Sequence, residues 1–66
     1  MRIPRETLDN ALALGRDLPG AAGALDAVRS TIRSGERVFV DEYDGSESLL
    51  TLDSDGRFTS TPIAVV

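Results

Sequence analysis

The stretch ERVFVDEYDGSESLLTLDSDGRFTS, residues 36–60, decides the fold. It reads as three short strands joined by two acidic turns. Val38, Val40 and Glu42 share one parity, and Phe39, Asp41 and Tyr43 the other, because side chains alternate between faces along a strand. A second strand from Ser48 to Asp53 puts Leu50 and Leu52 on one face and Leu49 and Thr51 on the other. Asp44-Gly45-Ser46-Glu47 and Asp53-Ser54-Asp55-Gly56 supply the turn signals.

The register of the second hairpin follows from its neighbours. A two-residue turn at Asp55-Gly56 would set Leu52 opposite Thr59 and Asp53 opposite Phe58, mixing apolar with polar on both faces. A three-residue loop, Ser54-Asp55-Gly56 with Gly56 left-handed, sets Leu52 opposite Phe58 and Asp53 opposite Arg57. The second register is expected, since it joins an apolar pair and a charge pair. The first loop, Asp44 to Glu47, is compatible with more than one length. Val38, Val40, Leu50, Leu52 and Phe58 then form the core face. Phe39, Tyr43 and Leu49 fall on the opposite face. There they are either covered by the tail or a helix, or form an apolar interface for a partner or a second copy.

Upstream, Pro4 suits the first turn of a helix, and Glu6 and Asp9 favour its dipole. Leu8, Ala11 and Leu12 give a stripe at helical spacing, so a helix is expected over about 4–14, with Met1 to Ile3 as a lead-in. Asp17 is the expected N-cap of a second helix, with Pro19 in its first turn. Leu18, Leu25, Val28 and Ile32 line that helix, and Gly35 stops it. Leu8, Leu12, Leu25, Val28 and Ile32 are the expected helical half of the core. Thr61 to Val66 reads as an edge segment, since Pro62 cannot donate to a ladder. The predicted fold class is α+β: two N-terminal helices packed on a three-stranded antiparallel β-meander, order ααβββ, in a single small domain spanning residues 1–66.

Composition bounds the function. A 66-residue chain buries only about 60% of its unfolded surface. With no cysteine and no histidine, it has no disulfide, no thiolate or imidazole metal ligand and no general base of ordinary pKa near 7. Self-association is the remaining common support for so small a core, so a homo-oligomer is one expectation. A Ser or Thr nucleophile lacks a His or Lys partner, and so few aromatics leave little to line a cleft. The chain reads as a non-enzyme with no cofactor. Calcium-loop spacing fails at both Asp-Gly turns: counted from Gly56 the first and twelfth positions are Thr51 and Pro62, and from Gly45 they are Val40 and Thr51. No metal site is expected. No apolar run approaches a membrane span, and no signal pattern opens the chain. The expected setting is the cytoplasm of a prokaryote, or of a virus-infected prokaryotic host.

Charge is placed unevenly. Residues 1–35 hold five arginines against four acids, whereas residues 36–66 hold two arginines against seven acids. Asp41, Glu42, Asp44, Glu47, Asp53 and Asp55 follow one another with no cation between them. Such a cluster repels nucleic acid and attracts basic surfaces. Asp41, Glu42, Asp44 and Glu47 are the expected protein-binding patch, with Tyr43 as aromatic anchor. Asp53 and Asp55 form a secondary acidic patch, and Phe39 and Leu49 an apolar interface. The expected function is a small acidic protein-binding module, for instance a phage-type inhibitor that docks on a basic, nucleic-acid-binding surface of a larger partner.

Two other classes compete. The helix pair could be a helix-turn-helix of a dimeric regulator that touches DNA through Arg29 and Arg33, although Asp26 sits among them. Residues 24–52, a helix ending in Ser34-Gly35-Glu36-Arg37 and running into Val38-Phe39-Val40 and a hairpin, loosely resemble the middle of Phd/YefM-type antitoxins. Those domains open with a strand where this chain has Pro4 and a helix, and their hairpin turn is tighter and not acidic. That resemblance implies an antitoxin-like protein. The third class is a structural accessory subunit.

Overall fold

The computed structural model describes residues 1–15 and 17–63. Its elements run β1 (Arg2–Pro4), α1 (Arg5–Leu14), α2 (Pro19–Arg33), β2 (Val38–Asp41), β3 (Glu47–Leu52) and β4 (Phe58–Pro62). The class is α+β, but the order is βααβββ and the sheet has four strands, in the spatial order β1-β2-β3-β4. The three-stranded, all-antiparallel expectation is therefore corrected. Residues 2–4, read from sequence as part of a lead-in and a helix start, pair in parallel with β2, Ile3 opposite Val40. Parallel strands need a long crossover, and the two helices supply it.

Both helices lie on one face of the sheet. Leu8, Leu25 and Val28 meet Val38, Val40 and Leu50 in the core, with Ile3, Ala11, Ile32 and Phe58 packed at its margin. The expected core face is largely as read, with two exceptions. Leu12 is 45% exposed, because α1 presents Leu8 and Ala11 to the sheet and turns Leu12 outward. Leu52 is only half-buried. It lies at the far end of β3, opposite half-buried Phe58.

Helix ends depart from the reading at one point. Leu18, not Asp17, is the N-cap of α2, with no side-chain cap and Pro19 at the first helical position. Gly35 follows α2 as the expected stop, and it takes the left-handed conformation at φ +93°.

The hairpins share one turn design. In the second, Asp53 N–H donates to the Arg57 carbonyl, Gly56 N–H donates to the Asp53 carbonyl, and Gly56 has φ +80°. Leu52 faces Phe58, as the side-chain pairing required. In the first, Glu42 N–H donates to the Ser46 carbonyl, Gly45 N–H donates to the Glu42 carbonyl, and Gly45 has φ +86°. The loop is thus Tyr43-Asp44-Gly45, one residue earlier than the Asp44–Glu47 signal. Strand β4 includes Pro62 at the sheet edge, and Ile63 N–H continues the ladder to the Glu47 carbonyl. The rest of the expected edge segment, residues 64–66, lies outside the described residues.

Candidate functional site

The sheet has two ends of different character. At one lie the C-termini of β1 and β2, the first hairpin turn and the start of α1. At the other lie the start of β2, the second hairpin turn and the end of α2. The first end gathers Glu6, Asp9, Asp41, Glu42, Asp44 and Glu47 against Arg2 and Arg5. At the second, Asp26, Glu36, Asp53 and Asp55 are matched by Arg29, Arg33, Arg37 and Arg57. The net charge of −4 is thereby concentrated at the first end.

The four carboxylates read together from sequence are not brought together as one free patch. Asp41 and Glu47 are register partners, and both pair with Arg2. Those hydrogen bonds, Glu47 first, raise the Arg2 pKa. The guanidinium also lies 5.7 Å from the Phe39 ring centroid. Glu42 turns to the helical side. Its Oε1 accepts from Arg5 Nε at 2.6 Å, and its Oε2 accepts from Arg5 Nη2 at 2.8 Å and from Ser48 Oγ at 2.7 Å. The bidentate Arg5 contact, followed by the Ser48 hydroxyl, holds the Glu42 carboxyl at about 2. Arg5 further donates to Ser60 Oγ at 2.9 Å, which ties α1 across β2 and β3 to β4. Buried Ser48 has its partner in this network, which closes the core at that end.

Asp44 is exposed, and its Oδ1 accepts from Ser46 Oγ at 2.6 Å and from Ser46 N–H at 3.0 Å; these bonds lower its pKa. Tyr43 is 73% exposed. Its hydroxyl donates to Asp9 Oδ2 at 3.3 Å. Partial loss of solvent, then the Asp9 and Glu6 carboxylates, raise the Tyr43 pKa. An open depression of about 320 Å³ lies beside it, lined by Glu42, Tyr43, Asp44, Ser46, Ser48 and Pro62. The exposed acids around Tyr43 are therefore Asp44 from the turn and Glu6 and Asp9 from α1, with Asp9 Oδ1 also 3.7 Å from Arg5 Nη1. Sequence reading gave Glu6 and Asp9 only a dipole role, and nothing local marks them as neighbours of Tyr43.

The remaining site residues separate. Asp53 Oδ1 accepts from the N–H groups of Asp55 and Arg57, so it serves its own loop, and Asp55 is exposed at the tip. Phe39 and Leu49 are register partners on the sheet face away from the helices, and both are half-buried. Tyr43 does not join them, since its hydroxyl reaches α1 on the other side. Arg29 stacks 4.8 Å over the Phe58 centroid and contacts the Gly56 carbonyl at 3.4 Å and Asp26 at 3.3 Å. Arg33 is exposed beside it. Among the described residues no helix is long and apolar enough to cross a membrane.

No family model matches the chain, and neither the curated proteins nor the solved structures contain a significant match.

Proposed function

We propose that the chain is a small acidic protein-binding module, not an enzyme, which docks the charged end of its sheet on a basic surface of a larger partner. The observation that carries this reading is Tyr43. It is a 73% exposed aromatic side chain tethered to Asp9, standing over an open depression, with Asp44 and Glu6 around it. An aromatic anchor ringed by carboxylates complements a cationic surface, and the field of the acidic end steers such a partner. Inhibition of a nucleic-acid-binding protein by occupying its basic groove is one use of this chemistry. Asp41, Glu42 and Glu47 contribute to the field. Their arginine partners make them supports of the site as well as parts of it.

The test is capture of partners from the native host, followed by salt titration of the purified complex. Tyr43→Ala combined with Glu6→Gln, Asp9→Asn and Asp44→Asn should weaken binding at least tenfold and flatten its salt dependence. Unchanged binding by that variant would sink the reading. Loss of binding only on changing Arg29 and Arg33 would favour a DNA-contacting regulator instead. Arg29 is the less available of the two, given its contacts with Phe58, Gly56 and Asp26.

A further inference from the structure

The sheet face away from the helices is covered by none of the described elements. Phe39 and Leu49 stand side by side at its centre, and Thr51, Thr59 and Thr61 extend the uncharged area across β3 and β4. The alternation that buries Val38, Val40 and Leu50 puts Arg37, Asp53 and Arg57 on this same outer parity, just beyond the strand ends. Three arginines, Arg2, Arg37 and Arg57, thus face three carboxylates, Asp41, Glu47 and Asp53. In a chain of net charge −4, the charges of this face balance.

Its charges are also polarised along the strands. Asp41 and Glu47 with Arg2 leave one negative charge at the end carrying the first turn. Arg37 and Arg57 with Asp53 leave one positive charge at the end carrying the second turn. The N-terminal ammonium and Glu36 lie at that second end and pair with each other at 3.5 Å. A two-fold axis lying in the interface, parallel to the sheet and perpendicular to the strands at the level of the Phe39–Leu49 pair, lays the negative end of one copy on the positive end of the other, twice over, and stacks the four apolar side chains at the centre.

We infer that this face binds a second copy of the chain in that antiparallel, two-fold arrangement. It uses neither Tyr43 nor the acidic depression, so a dimer leaves two docking sites free, and the proposal stands independently of the partner reading. Four strands spaced ~4.8 Å apart and about five residues long give a footprint on the order of 300 Å² per copy. That is well under the roughly 800 Å² per partner of a standard interface, so the dimer is a weak one.

Sedimentation equilibrium of the purified full chain, from about 10 μM to about 1 mM at low salt, should show reversible dimerisation. Arg57→Glu makes both ends acidic, and Glu47→Arg makes both ends basic. Each alone should weaken the dimer tenfold or more. An equimolar mixture of the two should restore it, because both junctions of the mixed dimer are again complementary. If Glu47→Arg fails to fold, wild-type amide spectra over the same concentration range decide. Shifts should centre on Phe39, Leu49, Thr51, Thr59 and Thr61, while Tyr43 and Asp44 stay still. A monomer at every concentration, a mixture no better than its components, or shifts confined to the Tyr43 end would each overturn the proposal. So would dimerisation that appears only once residues 64–66 are removed, since the chain's own terminus would then be the occupant.

Discussion

The Glu42–Ser46 turn and the Asp53–Arg57 turn share one backbone design, with the same two hydrogen bonds and a left-handed glycine in the same place, yet their acidic residues do different work. In the second turn, Asp53 bonds to N–H groups of its own loop, and Arg29, Arg33, Arg37 and Arg57 balance the nearby acids. In the first, Glu42 is drawn out of the loop to Arg5 and Ser48, Tyr43 reaches Asp9, and the acids outnumber the arginines. Local sequence dictated the common geometry. Contacts with β1 and α1, some 35 residues earlier in the chain, set the difference.

The largest perturbation removes the frame that holds both turns. Leu50 is 2% exposed between Val38 and the helices, and truncating it to Ala should cost roughly 2–5 kcal/mol. That is enough to unfold a domain of this size in a thermal or urea melt. Leu12→Ala is the control. At 45% exposure it should change stability by less than about 1 kcal/mol, and an equal loss at both sites would contradict the observed facing of α1.

The equivalence of the turns can be measured directly. Gly45→Ala and Gly56→Ala each place a Cβ on a residue at φ +86° or +80°, and each should destabilise by about 1 kcal/mol. Among the described residues beyond the chain neighbours, no atom lies within 4 Å of the added Cβ at Gly45, and only Arg33 Nη2, at 3.9 Å, at Gly56. The two penalties should therefore match. A marked inequality would mean that the turns are held by their surroundings more than by their backbones.

A pH titration separates them again. The Glu42 carboxyl sits at about 2 against an ordinary 4.5, so the folded state favours its charged form. Its contribution to stability is complete above about 4.5 and is lost as the pH falls from there toward 2. Glu42→Gln should lower the melting temperature at pH 7 and flatten its decline across that window. Asp44→Asn should act in the same direction but less, because its own partners are loop groups of Ser46. An acid limb identical in wild type and Glu42→Gln would show that the Arg5 contact does not persist in solution.

Tyr43→Ala should have the smallest effect on stability, within about 0.5 kcal/mol, since the ring is mostly in solvent. If it lowers stability as much as either glycine variant, Tyr43 is a strut between the turn and α1, and the partner reading loses its anchor.

Much of this fold was legible along the chain because its determinants are local. Periodicity placed both helices within a residue or so, Gly35 marked a left-handed helix end, and the pairing of Leu52 with Phe58 followed from side-chain chemistry across one short loop. Residues 2–4 could not be read as a strand. Three residues ending in proline carry no alternation, and their partner strand lies 37 positions away. The same separation hid the arginine partners of the acidic cluster. Arg2 and Arg5 precede it by more than thirty residues, so the sequence alone displayed six uncompensated carboxylates. Only folding placed Arg2 on Asp41 and Glu47, Arg5 on Glu42, and Asp9 under the Tyr43 hydroxyl. Short-range patterning determined which elements form and how each hairpin pairs. The parallel crossover brought distant charges together, and so decided which carboxylates are spent inside the molecule and which remain free at its surface.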